Sequence, residues 1–132
     1  MQGETNIKTG TQAEQSVAEY ISKKGYWVGD FNKSSSGSQP FDQIALTHNI
    51  TLAYDVKHCI DNRFDFVRVE ENQKLSLGFI HNSLYNDKIK TGFVLVHNDE
   101  FKFLSYFRYQ ELLSKDYKSV KVSTLPPLRN FL

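Results

Sequence analysis

Apolar and polar residues alternate with a strand-like period in the middle of the chain and follow a helical period on either side. Two β-rich runs, 41–48 and 50–57, meet at Asn49. Asparagine favours a tight turn because it tolerates positive φ. A two-residue turn at this point predicts a hairpin in which Asp42 lies directly opposite Asp55.

The rest of the pattern predicts a mixed α/β fold. The order α-β-β-β-α-β-β indicates a mixed sheet with helices on both sides, built as a single domain over residues 1–132. Outside the hairpin we expect helices at 11–24 and 69–85, strands at 26–31, 93–97 and 101–106, a short helix at 108–115, a loose arm at 1–10 and an irregular tail at 116–132.

Composition narrows the class of protein only slightly. The chain has 132 residues, 39% hydrophobic and 23% charged, which is typical of one soluble domain. A net charge of +1 gives no argument of its own for nucleic acid. We see no apolar stretch that could span a bilayer and no signal peptide, and Cys59 is the single cysteine. We therefore expect a cytoplasmic protein without a membrane partner.

The predicted hairpin carries the candidate chemistry. Two carboxylates opposite each other repel and weaken an ordinary sheet. Lys57 shares the face of Asp55, because strand side chains alternate. One lysine neutralises two acids poorly, whereas a divalent metal ion with oxygen ligands fits the pair. The alternative is that Asp42 and Asp55 are solvated residues on an open face.

Two further polar residues lie on predicted helices beside this site. Glu14 stands at the edge of the buried stripe of the first helix, and it is either a site acid or a surface acid favoured by the helix dipole. Gln73 falls within the apolar stripe of the second helix. Its amide needs partners there, so it either completes a core hydrogen bond or orients a ligand.

The ordered set Glu14, Pro40-Phe41-Asp42, Asp55-Val56-Lys57 and Gln73 resembles the PD-(D/E)XK nuclease superfamily. Within it, the chain is most similar to Holliday junction resolvases of the archaeal and RecU types. That similarity rests on the Ser/Gly loop before Asp42 and on the runs at 10–14 and 66–73, and it covers roughly residues 10–112. The RecU-type enzymes carry a long stalk where this chain has only the short 32–40 loop.

The resemblance implies a restriction-endonuclease-like fold and a metal-dependent DNA endonuclease, in which water attacks the phosphodiester in line. Asp42, Asp55 and the carbonyl of Val56 would bind Mg²⁺, with Mn²⁺ as a substitute, and Glu14 would complete the acidic cluster. Lys57 would hold the attacking water or offset charge that develops on the phosphate. Gln73 would orient water or phosphate.

The implied partner is DNA, with a four-way junction as the expected substrate and a homodimer as the expected assembly. Such an enzyme would act in DNA recombination, repair or phage DNA processing. A restriction-type nuclease and a non-catalytic DNA-binding module of the same fold are the alternatives. The candidate DNA contacts are Ser34, Ser35, Ser36, Ser38, Arg68 and Lys74.

Overall fold

The computed structural model describes residues 2–31, 40–83 and 87–132, with side chains from Gly10 onward. Within those ranges it contains helices α1 (Gln2–Ser22), α2 (Glu71–Ser83) and α3 (Tyr106–Ser114), and strands β1 (Trp27–Asp30), β2 (Gln43–Leu46), β3 (Thr51–His58), β4 (Phe64–Asp65), β5 (Ile89–His97), β6 (Glu100–Ser105) and β7 (Ser119–Val120). The predicted order of elements is present, with the short strands β4 and β7 added to it.

Five of the described strands form the main sheet, in the order β1-β2-β3-β5-β6. Strand β3 runs parallel to β5, and the other neighbours are antiparallel, so the sheet is mixed as predicted. Val17 and Ile21 of α1 pack on one face. Leu77 of α2 and Tyr109 of α3 pack on the other face. The central strand β3 is therefore covered on both faces, which explains its run of apolar residues.

Both ends of the chain are more regular than predicted. Helix α1 begins at Gln2, so the expected loose arm is helical over residues 2–10. The helix ends as predicted near Gly25, which adopts a φ of 96° that suits glycine. The tail contains β7 and two turns of 3₁₀ helix, and its Val122 and Leu128 are buried. None of the described helices is long and apolar enough to cross a membrane.

The hairpin of β2 and β3 has the predicted register. Gln43 pairs with Tyr54, and one step further along the same register Asp42 faces Asp55. Successive side chains of a strand point to opposite faces of the sheet, so this pairing fixes which side chains share a face. The two acids lie on the side of α2 and α3, and Gln43 and Tyr54 lie on the side of α1.

The turn of the hairpin is closed differently from the prediction. Asn49 is absent from the described non-glycine residues with positive φ. The side chain of Thr47 closes the turn instead, because its Oγ1 accepts hydrogen bonds from the N–H groups of Asn49 at 3.2 Å and Ile50 at 3.0 Å. A hydroxyl that binds the backbone two or three residues ahead is a common way to stabilise a turn.

Candidate active site

The two opposed aspartates and Lys57 meet where β3 leaves the core. Asp55 is fully buried, and its Oδ2 lies 3.1 Å from Nζ of Lys57, whose side chain is only 12% exposed. Oδ2 of Asp42 accepts a hydrogen bond of 2.8 Å from the N–H of Val56. The backbone of β3 thus holds one carboxylate in place while the lysine holds the other.

The surroundings of Asp55 disfavour its charged form. Neither of its buried oxygens accepts a well-formed hydrogen bond from the described residues, and Nζ of Lys57 contacts Oδ2 at 3.1 Å. Burial raises the pKa of Asp55 to about 8, the Asp42 carboxylate adds to that rise, and the Lys57 ammonium opposes it. At neutral pH, and without a metal ion, this raised pKa favours the protonated form of Asp55.

Such a pair suits a divalent cation. The oxygens of Asp55 are desolvated and lack hydrogen-bond donors, and carboxylates are the hard ligands that Mg²⁺ prefers. The described residues contain no group of three or more His, Cys, Asp and Glu side chains that could hold a metal ion. Glu14 is therefore not grouped with Asp42 and Asp55 among these residues, and its part in the predicted acidic cluster stays a prediction.

Glu14 lies nearby, on the wall of a cleft. A cleft of about 510 Å³ opens beside the aspartates, between α1, the end of β3 and the segment 60–68. Glu14 lines it together with Val56 and Lys57. The helical stripe thus predicted correctly that Glu14 lies beside the site. The cleft also receives the cationic side chains of Arg63 and Arg68.

Gln73 has a structural hydrogen bond. It is buried near the start of α2, and its Oε1 accepts a hydrogen bond of 3.1 Å from the N–H of Glu70. A side chain at the third helical position that binds the backbone ahead of the helix satisfies a donor that the helix leaves unpaired. This contact corresponds to the first of the two alternatives for Gln73, and its role toward a ligand stays a prediction.

The candidate DNA contacts divide into three groups. Arg68 lines the cleft, with its guanidinium over the ring of Phe64 at 5.7 Å. Lys74 lies on the outer surface of α2, 4.0 Å from the carboxylate of Glu71, and does not line the cleft. The four loop serines, Ser34, Ser35, Ser36 and Ser38, lie outside the described residues.

Two residues beside the site escaped the sequence analysis. Gln43 and Tyr54 are fully buried and hydrogen-bonded to each other, and Gln43 also binds the backbone of Glu14. A signal was present, because Gln43 directly follows Asp42 and therefore points to the opposite face of the sheet. With helices on both faces, that position is also in the core.

Comparison with known proteins identifies a solved structure with the same fold. No protein-family model matches the sequence, and no curated protein matches it. Among solved structures, the chain matches the 1.6 Å resolution structure of Hjc from Archaeoglobus fulgidus, a Holliday junction resolvase from an archaeal hyperthermophile, with a TM-score of 0.67. The match covers 92% of this chain and 98% of that chain at 15% sequence identity. The chain has the resolvase fold.

The match confirms the mixed α/β architecture expected from the sequence. At 15% identity the likeness concerns the fold, so the roles of individual residues are argued from their geometry.

Proposed function

We propose that the protein is a metal-dependent DNA endonuclease that resolves branched DNA such as Holliday junctions, in recombination, repair or phage DNA processing. The observation that carries this proposal is the opposed pair Asp42 and Asp55, with Lys57 ion-paired to Asp55 at the edge of a cleft. An acid pair with one fully buried member, beside a lysine, is costly to stability and typical of a catalytic site. The resolvase fold supports the choice of DNA as substrate.

In the proposed mechanism, Asp42, Asp55 and the carbonyl of Val56 would hold Mg²⁺ or Mn²⁺. The bound ion would polarise the scissile phosphate and lower the pKa of a water molecule. The main chain of β3 fixes Asp42, and burial within the sheet fixes Asp55, so the ligands are preorganised. Glu14 would contribute from the cleft wall through a water molecule.

Lys57 supplies the positive charge where negative charge develops. Its ammonium is held by Asp55 and is largely withdrawn from solvent, so its interaction with a phosphate oxygen is weakly screened. Arg63 and Arg68 line the same cleft and would bind neighbouring phosphates of the strand. Contacts of this kind fix the position of the backbone without reading base sequence.

We expect the protein to bind a four-way junction at least about tenfold more tightly than linear duplex of the same length, or about 1.4 kcal/mol. The described cleft presents cations to phosphates, and a branched substrate adds selectivity through shape and deformability. Competition binding assays with junction, flap and duplex DNA, all at one near-physiological salt concentration, measure this preference. Cleavage of the same three substrates is then measured in Mg²⁺.

The same assays separate the alternatives. Equal binding of all substrates, with cleavage limited to one short linear sequence, would support the restriction-type nuclease. Binding without cleavage of any substrate in Mg²⁺ or Mn²⁺ would support a non-catalytic DNA-binding module. Either result would contradict the proposed resolvase.

The surface offers two apolar sites for the expected homodimer. Its aromatic content makes the segment 101–107 a candidate either for an interface or for the core, and three of its seven residues, Phe103, Leu104 and Tyr106, are buried. Its Phe107 is 64% exposed. Separately, Leu75 and Phe79 lie one helical turn apart on α2 and are 67% and 62% exposed. Adjacent exposed apolar side chains are typical of interaction surfaces.

A two-fold dimer presents one site to each scissile strand of a junction, and its two subunits meet through a self-complementary surface. If Leu75 and Phe79 form that surface, the double variant L75S/F79S removes its apolar contacts, and we expect it to shift the homodimer toward monomer. Light scattering over a concentration series measures the change. The matched control L113S replaces another exposed leucine, on α3, and should leave the assembly unchanged. A parent protein that is monomeric with and without DNA would contradict the dimer.

A further inference from the structure

A chain of two hydrogen bonds joins the hairpin to the middle of α1. The hydroxyl of Tyr54 on β3 donates to Oε1 of Gln43 on β2 at 2.7 Å. Nε2 of Gln43 then donates to the backbone carbonyl oxygen of Glu14 at 2.9 Å. Both side chains are 0% exposed, so the chain is shielded from water.

The orientation of this chain is fixed. The hydroxyl of Tyr54 acts as the donor to the amide oxygen of Gln43, because an ordinary phenol is protonated at neutral pH. The amide oxygen of Gln43 is thereby occupied, which leaves its NH₂ group for α1. Apolar side chains would pack α1 without the cost of burying polar groups. A carbonyl inside a helix also already has a partner four residues ahead, so the amide is not needed to satisfy it.

The residues that form these two hydrogen bonds are the sequence neighbours of the acid pair. Gln43 directly follows Asp42, and Tyr54 directly precedes Asp55, so the two pairs share consecutive positions of one hairpin and lie on opposite faces. One pair presents carboxylates on the side of α2 and α3. The other pair, Gln43 and Tyr54, is hydrogen-bonded to the backbone of α1 at Glu14, which lines the cleft.

We propose that Gln43 and Tyr54 are positioning residues that set Glu14 at the cleft, in register with the acid pair. The inference rests on the proposed nuclease function. The hydrogen bond to the backbone of Glu14 fixes the height and rotation of α1 relative to the hairpin. The side chain of Glu14 then enters the cleft beside Val56 and Lys57. Small displacements of groups in a reacting site cost large factors in rate.

The test is a double-mutant cycle between Gln43→Met and Glu14→Gln. Methionine keeps the length and approximate volume of glutamine and removes both hydrogen bonds. We expect Q43M to lower kcat about tenfold with KM for DNA nearly unchanged. In the E14Q background the same replacement should have no further effect on kcat, because Gln43 acts through Glu14. Y54F, which retains the ring, should give a smaller loss in the same direction.

A control variant tests whether any polar-to-apolar change inside the sheet lowers activity. T91V removes a buried hydroxyl on β5 that has no hydrogen-bond partner among the described residues, and it should leave kcat unchanged. If the losses in kcat caused by Q43M and by E14Q instead multiply in the double variant, Gln43 does not act through Glu14 and the proposal is wrong. If the parent protein cleaves no DNA, the proposed function fails. Amide exchange then still decides the positioning: faster exchange around Glu14 in Q43M supports it, and unchanged exchange overturns it.

Discussion

Replacement of Lys57 by alanine is expected to lower kcat for DNA cleavage at least about 100-fold, the loss typical of removing one preorganised charge-stabilising donor. The ammonium is 3.1 Å from Oδ2 of Asp55 and borders the cleft, so it is fixed where the phosphate would acquire charge. Binding of DNA should change little, because many other phosphate contacts determine affinity. Single-turnover rates and DNA affinity, measured separately, check both parts.

Two variants make this result specific to Lys57. K115A removes an exposed lysine near the end of α3 and should leave the rate unchanged. K57R retains the charge but changes its shape, so a partial rate is expected. Thermal melts should show that K57A is folded. Equal single-turnover rates for K57A and the parent would remove Lys57 from the mechanism.

Without metal ions, the protein should lose stability as the pH rises from about 4 to about 8. The pKa of Asp55 is about 8 in the folded protein, against 3.8 for an ordinary aspartate, so in this window the folded state holds more protons than the unfolded state. Stability contributed by a raised pKa is present below the unfolded value and is lost as the pH passes the folded value. Mg²⁺ or Mn²⁺ should restore it by binding the native state, by about 2.7 kcal/mol at 100 times the dissociation constant. Chelation should also abolish cleavage.

Thermal melts in EDTA and in saturating metal, at pH 6 and pH 9, measure this effect. The variant D55N removes the repulsion with Asp42, so in EDTA at pH 9 it should melt at least as high as the parent and respond little to metal. Residual cleavage by D55N should be negligible. Identical melts of the parent with and without metal at pH 9 would contradict a metal site at this pair.

The hairpin and its acids could be predicted from the sequence because they depend on local rules. The number of residues in the turn fixes the pairing, and the pairing places Asp42 opposite Asp55 whichever residue closes the turn. Helical spacing likewise placed Glu14 at the edge of a buried stripe, and the structure has it on the cleft wall. Each of these inferences needs only the period of one element.

Properties that depend on packing between distant elements could not be predicted in this way. The alternation of Ile44 and Leu46 with polar neighbours predicts one apolar face for β2, yet Leu46 is exposed and Ala45 is buried. Ala45 is buried because α1 covers the second face of the sheet. The role of Gln43 depends on α1, which lies 29 residues earlier in the chain at the point of contact. The start of α1 was missed because its first ten residues are polar, with two glycines, and lack an apolar stripe.

The alternation of side chains in the hairpin limits how its turn can change in length. An inserted or deleted residue between β2 and β3 that moved the pairing by one step would exchange the faces of β2. Asp42 would then point into the apolar layer beneath α1, and Gln43 would stand next to Asp55. The hydrogen bond from Gln43 to α1 and the acid pair would therefore be lost together. We therefore infer that the four-residue connection Thr47–Ile50 tolerates changes of residue type much better than changes of length.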